Sequence, residues 1–196
     1  MRPPPSKHET LDDLFARAEH YAEFNMRNVG RLHPAIFLLG ENGLEMVLPE
    51  HLKDEQAKDD FAMQARLTCI AHAATVAVMA LEAWATFAKP DQPLDLSTPP
   101  SEAFDRREFV VLMGESRTGC QQRMLPIIRT GAGGFFGFGE TESPGAEEMS
   151  GRFAQILSPH PPSDQQRAAA KALLAIKAAR RAAADPTQPR PRTPRF

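Results

Sequence analysis

Carboxylates, arginines and the only tryptophan crowd into the middle of this chain. Glu82 interrupts the apolar run Thr75-Val76-Ala77-Val78-Met79-Ala80-Leu81, and Trp84 follows two residues later. After a proline-rich stretch, Pro100-Ser101-Glu102-Ala103-Phe104-Asp105-Arg106-Arg107-Glu108 leads into a second apolar run. A carboxylate among apolar residues must be paired or stand at the end of its strand. In a regular strand Trp84 shares Glu82's face. Two uses compete for this cluster. Glu82 can pair with Arg106 or Arg107 and fix strand register, which is the commoner role of such ion pairs. Alternatively Glu82, Trp84, Asp105, Arg106, Arg107 and Glu108 form a carboxylate–arginine–aromatic surface for a ligand or protein. A third use is hydrolytic, with Glu82, Asp105 or Glu108 as metal ligands or acid/base groups, although no spacing demands it.

Other reactive residue types form no recognisable site. Gly131-Ala132-Gly133-Gly134-Phe135-Phe136-Gly137 follows an apolar run as a phosphate loop would. A dinucleotide fingerprint needs a helix directly behind the glycines, and here Phe138, Gly139 and then Pro144 follow. No Lys-Ser/Thr pair completes a Walker loop either. Cys69 and His72 are three apart on an expected helix, but a structural zinc needs four ligands and no second pair exists. His8, His20, His33, His51 and His160 show no ligand spacing. Cys120 falls in a turn without an activating partner nearby. No Gly-x-Ser-x-Gly elbow is present. The residues therefore assign no catalytic group, no metal and no cofactor.

The pattern Glu82-Ala83-Trp84, a proline loop, then Pro100-Ser101-Glu102-x-x-Asp105-Arg106-Arg107-Glu108 and a β-rich run resembles a widespread group of uncharacterised bacterial proteins. The resemblance covers roughly residues 30–140 and implies no activity.

Charge divides the chain. Residues 163–196 hold eight Lys/Arg against two Asp, a balance of +6, while residues 1–162 hold fifteen against twenty-three, a balance of −8, giving the net −2. A basic tail on an acidic body suits nucleic acid, with Arg167, Lys171, Lys177, Arg180 and Arg181 as its cations, or it suits solubility and self-association. No apolar run reaches membrane-spanning length and no secretory leader is evident, so a reduced cytoplasmic setting is expected for the two thiols. These features favour an accessory or interaction protein without catalysis. A protein partner is preferred to a small molecule, with a nucleic-acid-associated regulator and a hydrolase as the alternatives.

The elements that must position the cluster follow from periodicity. Thr10 with Asp13 caps a helix ending near Asn28, with Gly30 as terminator. Residues 35–39 and 44–48 form a hairpin around a type I′ Asn42-Gly43 turn. A second helix spans about 54–72, with Ala57, Phe61, Ala65 and Cys69 in one stripe. Residues 75–81 read as a strand covered on both faces, though 74–87 can instead prolong the helix. Further strands cover 109–113 and 122–129, where Pro126 marks an edge strand or a bulge. Residues 131–139 are a short strand or a covering loop. The expected fold is α+β, an antiparallel or mixed sheet of four to five strands with two helices on one face, over residues 10–140. A disordered N-terminus (1–9) precedes it. A linker with a short helix (141–162) and a basic Ala-rich helix with a Pro/Arg tail (163–196) follow.

Overall fold

The computed structural model describes residues 10–49, 52–87, 98–143 and 152–184. The expected disordered N-terminus at 1–9, the Pro/Arg tail beyond residue 184, and most of the proline loop lie outside the described residues. The chain is α+β, in the order α1 (Leu11–Val29), β1 (Ala35–Gly40), β2 (Gly43–Val47), α2 (Glu55–Ala71), β3 (Val76–Ala85), β4 (Arg107–Ser116), β5 (Gly119–Arg129), β6 (Phe135–Phe138) and α3 (Asp164–Ala184). The six strands form one antiparallel sheet in the order β2-β1-β3-β4-β5-β6.

α1 starts and stops where expected. Thr10 and Asp13 form a reciprocal capping box, and Gly30 closes the helix in the left-handed conformation at φ 79°. Its buried face, Leu14, Phe15, Ala18, Ala22 and Met26, packs on Phe37, Val78, Ala80, Val110 and Leu112. The Phe15 ring lies so close to β4 that a Cβ on Gly114 would stand 2.4 Å from it.

The two helices do not share a face, contrary to expectation. α2 buries Phe61, Ala65 and Cys69 against Ile36, Leu38, Ala77 and Met79, the alternate residues of the same strands. Strand side chains point to opposite faces in turn, so the continuous apolar runs of β1 and β3 require a cover on each side. That same demand makes Val76–Ala85 a strand rather than a continuation of the helix. Ala73, at φ 49°, ends the second helix before it.

The hairpin closes one residue earlier than expected. Its loop is Glu41-Asn42, with Gly43 opening β2 at φ 95° opposite Gly40. The end of α2 imposes this. Glu41 N–H donates to the His72 carbonyl at 3.0 Å, and a Cβ on Gly40 would stand 2.3 Å from that oxygen. Pro126 sits in an inner strand, where the β6-side ladder breaks between the Met124–Glu142 bridge and β6. The short helix expected before Leu157 is not formed over residues 152–157, and its earlier part lies outside the described residues. Residues 152–157 form a strap across the α2 face, with Ile156 and Leu157 in the core. Ser163 caps α3 through Gln166 N–H at 3.3 Å. α3 then packs on α2.

Candidate functional site

The β3–β4 register places the polar cluster at one end of the sheet. Glu82 lies opposite Val110, Trp84 opposite Glu108 and Ala85 opposite Arg107. Alternation then sorts the residues. Glu82, Trp84 and Glu108 face the α1 side, while Arg107 and Phe109 face the α2 side.

On the α1 side, Arg129 of β5 grips Glu108 with two charge-assisted hydrogen bonds of 2.6 and 2.7 Å. Glu82, half-buried, accepts the backbone N–H of Leu32. Burial pushes its carboxyl above the ordinary range. The Leu32 amide opposes that shift, the neighbouring Glu108 adds to it, and Arg129 and Arg31 oppose it. Glu82 therefore does not take the expected partner. Arg106 stacks over the Trp84 ring, 4.7 Å from its centroid, and donates to the Ser101 carbonyl. Arg107 faces away from Glu82. It pairs with Glu142 and lies 4.8 Å over Phe109 and 5.4 Å over Phe87. The arginine that joins the carboxylates is Arg129, which sequence reasoning overlooked. Its signal was its position three residues after Pro126, the end of the β4–β5 ladder.

Asp105 is exposed in the loop before β4, beside Phe104, which is fully exposed. Trp84 and Phe87 are each about two-fifths exposed. This end of the sheet thus presents three aromatic rings and two arginines, each guanidinium laid on a ring. Its two strand carboxylates, Glu82 and Glu108, are held in fixed contacts.

The tail cations divide. Arg167 pairs with Glu41, and Lys177 lies 3.4 Å from Asp60, so both are turned inward onto the body. Lys171 and Arg180 are exposed. Arg181 falls within α3, and its side chain lies outside the described residues.

A second polar device was not anticipated. Glu115, buried on β4, accepts the backbone N–H groups of Ile156 and Leu157 at 3.2 and 3.0 Å. Arg66 of α2 donates to the carbonyls of Arg152, Ala154 and Gln155 at 2.9, 3.1 and 3.4 Å. Between them they hold the strap from both sides. Burial, with Glu115 nearby, pushes the Cys69 thiol up to about 12, which makes it a core side chain rather than a nucleophile. Cys69 points into the α2 core, while His72 faces Glu45 at 2.8 Å. Among the described residues no three His, Cys, Asp or Glu side chains gather where they can hold a metal ion. No helix among them is long and apolar enough to cross a membrane.

No known family model matches the chain, and neither the curated proteins nor the solved structures contain a match.

Proposed function

We propose that this chain is a protein-binding module whose contact surface is the Trp84–Phe104–Arg106 end of the sheet. The observation that carries this reading is Arg106 stacked on a part-exposed Trp84, with Phe104 wholly exposed in the loop that Arg106 ties down. Tryptophan and arginine are the side chains that most often dominate the energy of protein interfaces. A guanidinium already stacked on a ring loses little freedom when a partner covers it. The fixed pairing of Glu108 with Arg129, and of Glu82 with an amide, supports binding over hydrolysis. It leaves these carboxylates as positioning groups for the surface. The nucleic-acid reading keeps Lys171 and Arg180 as exposed cations but loses the support of Arg167 and Lys177.

A photo-reactive benzophenone side chain at position 104 tests the proposal in cells. The expected result is a discrete adduct to another protein that disappears in a Trp84→Ala, Arg106→Glu background, while the protein remains folded by circular dichroism. The same label at exposed Lys171 serves as control. An adduct set identical at both positions, or unchanged by the double substitution, sinks the reading.

A further inference from the structure

The two edges of the sheet are built differently. β6 is four residues long, adjoins a register shift at Ile128/Arg129 and lies in a glycine-rich stretch. Short, irregular edges of this kind resist pairing with another chain. β2 lacks such protection. Its register is unbroken over five residues. Its one charged residue, Glu45, faces the α2 side, where it stands 2.8 Å from His72 Nδ1.

The other side of β2 carries Leu44 and Met46, and Leu48 continues the alternation. They are 37, 48 and 45 % exposed. α1 packs on β3 and β4 and does not cover them. A groove of about 500 Å³ remains between α1 and the hairpin, lined by His20, Tyr21, Phe24, Phe37 and Leu44, with Phe24 60 % exposed. The hairpin register also decides which backbone groups are vacant. In an antiparallel pair closed by a two-residue loop, the residues flanking the loop exchange hydrogen bonds and the pattern then alternates. Gly43, Glu45 and Val47 therefore bond to β1, and the N–H and C=O groups of Leu44 and Met46 point outward.

We propose that β2 pairs with β2 of a second copy of this chain, antiparallel, about a two-fold axis through Met46. The outward groups of Leu44, Met46 and Leu48 allow axes at Glu45, Met46 and Val47. An axis at Val47 pairs Met46 with Leu48 but leaves Leu44 outside the apolar row. An axis at Glu45 sets two like carboxylates directly opposite each other, which is destabilising. An axis at Met46 sets Glu45 beside Val47, Met46 beside Met46 and Leu44 beside Leu48. The row Leu44, Met46, Leu48 reads the same in both directions, so a second copy meets it apolar against apolar along its length. Symmetric dimers require that self-complementarity. The result is a continuous twelve-stranded sheet, twice the six of one chain, with both grooves and both Phe24 rings flanking six apolar side chains. The contact is small, so the dimer dissociates at a Kd on the order of 1–100 µM.

Sedimentation velocity on the full chain across about 1–300 µM tests this, that range bracketing the affinity expected of a small interface. The expected result is a monomer–dimer equilibrium that Met46→Lys weakens at least about tenfold, while Ile176→Lys on the exposed side of α3 leaves it intact. An independent readout is cross-linking in a Cys120→Ser background. Hydrogen-bonded partners lie about 5.5 Å apart at Cα, within disulfide range, so Met46→Cys should give a covalent dimer on mild oxidation. Glu45→Cys should not. A chain monomeric throughout overturns the proposal and leaves the edge to a different protein. A dimer that survives Met46→Lys, or that Ile176→Lys breaks instead, also overturns it. Preferential cross-linking through Glu45→Cys overturns the Met46 axis. Because the surface at Trp84 lies at the other end of the sheet, these outcomes leave the reading of that surface untouched.

Discussion

Glu82 is the residue whose chemistry is most constrained by its neighbours. It shares the α1 side of the sheet with Glu108, and burial raises its pKa despite the Leu32 amide. A carboxyl with a raised folded-state pKa contributes stability that is fully present below its unfolded pKa. That stability is lost as pH rises through the folded value. Glu82→Gln keeps an oxygen that can accept the Leu32 N–H and never takes on charge. The melting temperature of Glu82→Gln relative to the natural protein should therefore increase between about pH 4 and pH 8. A difference that stays flat across that range would show that the ionised carboxylate is fully compensated where it sits. That Glu82 needed a partner was legible, because it breaks an apolar run. Which partner it takes was not. The Gly30-Arg31-Leu32 turn returns to it from fifty residues away, and Arg107 is removed from it by the alternation of β4, which only the register Trp84↔Glu108 reveals.

At the scale of elements, the strap at residues 152–157 shows how a segment with helical composition can be held in a turning, non-helical course. The N–H groups of its last two residues, Ile156 and Leu157, end on a buried carboxylate, and three of its carbonyls end on one guanidinium. Backbone groups satisfied this way have no need of helical partners. Glu115→Ala leaves two buried amides without acceptors and should cost about 2–4 kcal/mol in chemical denaturation. Glu115→Gln, which retains an acceptor, should cost less than half of that. Equal losses would mean that packing of Ile156, not the hydrogen bonds, holds the strap. The strap was hidden from sequence because its determinants, Arg66 and Glu115, lie on two other elements and carry no local signature. α1 was legible to its caps, since Thr10, Asp13 and Gly30 act within one turn of the helix they bound. The placement of α2 on the opposite face from α1 was not, because periodicity tells that a strand needs two covers but not which helix supplies each.

For the whole molecule, the division between acidic body and basic tail has a structural counterpart. Read by composition, residues 163–196 are a detachable extension, with alanine in place of large core residues. The structure instead aligns Arg167, Ala170, Leu174 and Lys177 at helical spacing against α2 and the β1–β2 loop. Ala170 is buried, Arg167 lies on Glu41 and Lys177 on Asp60. Docking therefore has an apolar part and an ionic part. Burial of Ala170 and most of Leu174 is worth about 2 kcal/mol by area. Two part-exposed ion pairs add about 0–1 kcal/mol each and are weakened by salt. Deleting residues 163–196 should lower stability by about 2–4 kcal/mol at low ionic strength, on these same terms. At about 1 M salt, where the screening length is only a few ångströms, the loss should shrink but persist, because the apolar contact is not screened. Full and truncated chains melting together at every salt concentration would show that the helix does not dock. A loss that vanishes entirely in salt would show that charge alone holds it, and would return Arg167 and Lys177 to the set of cations open to an anionic partner.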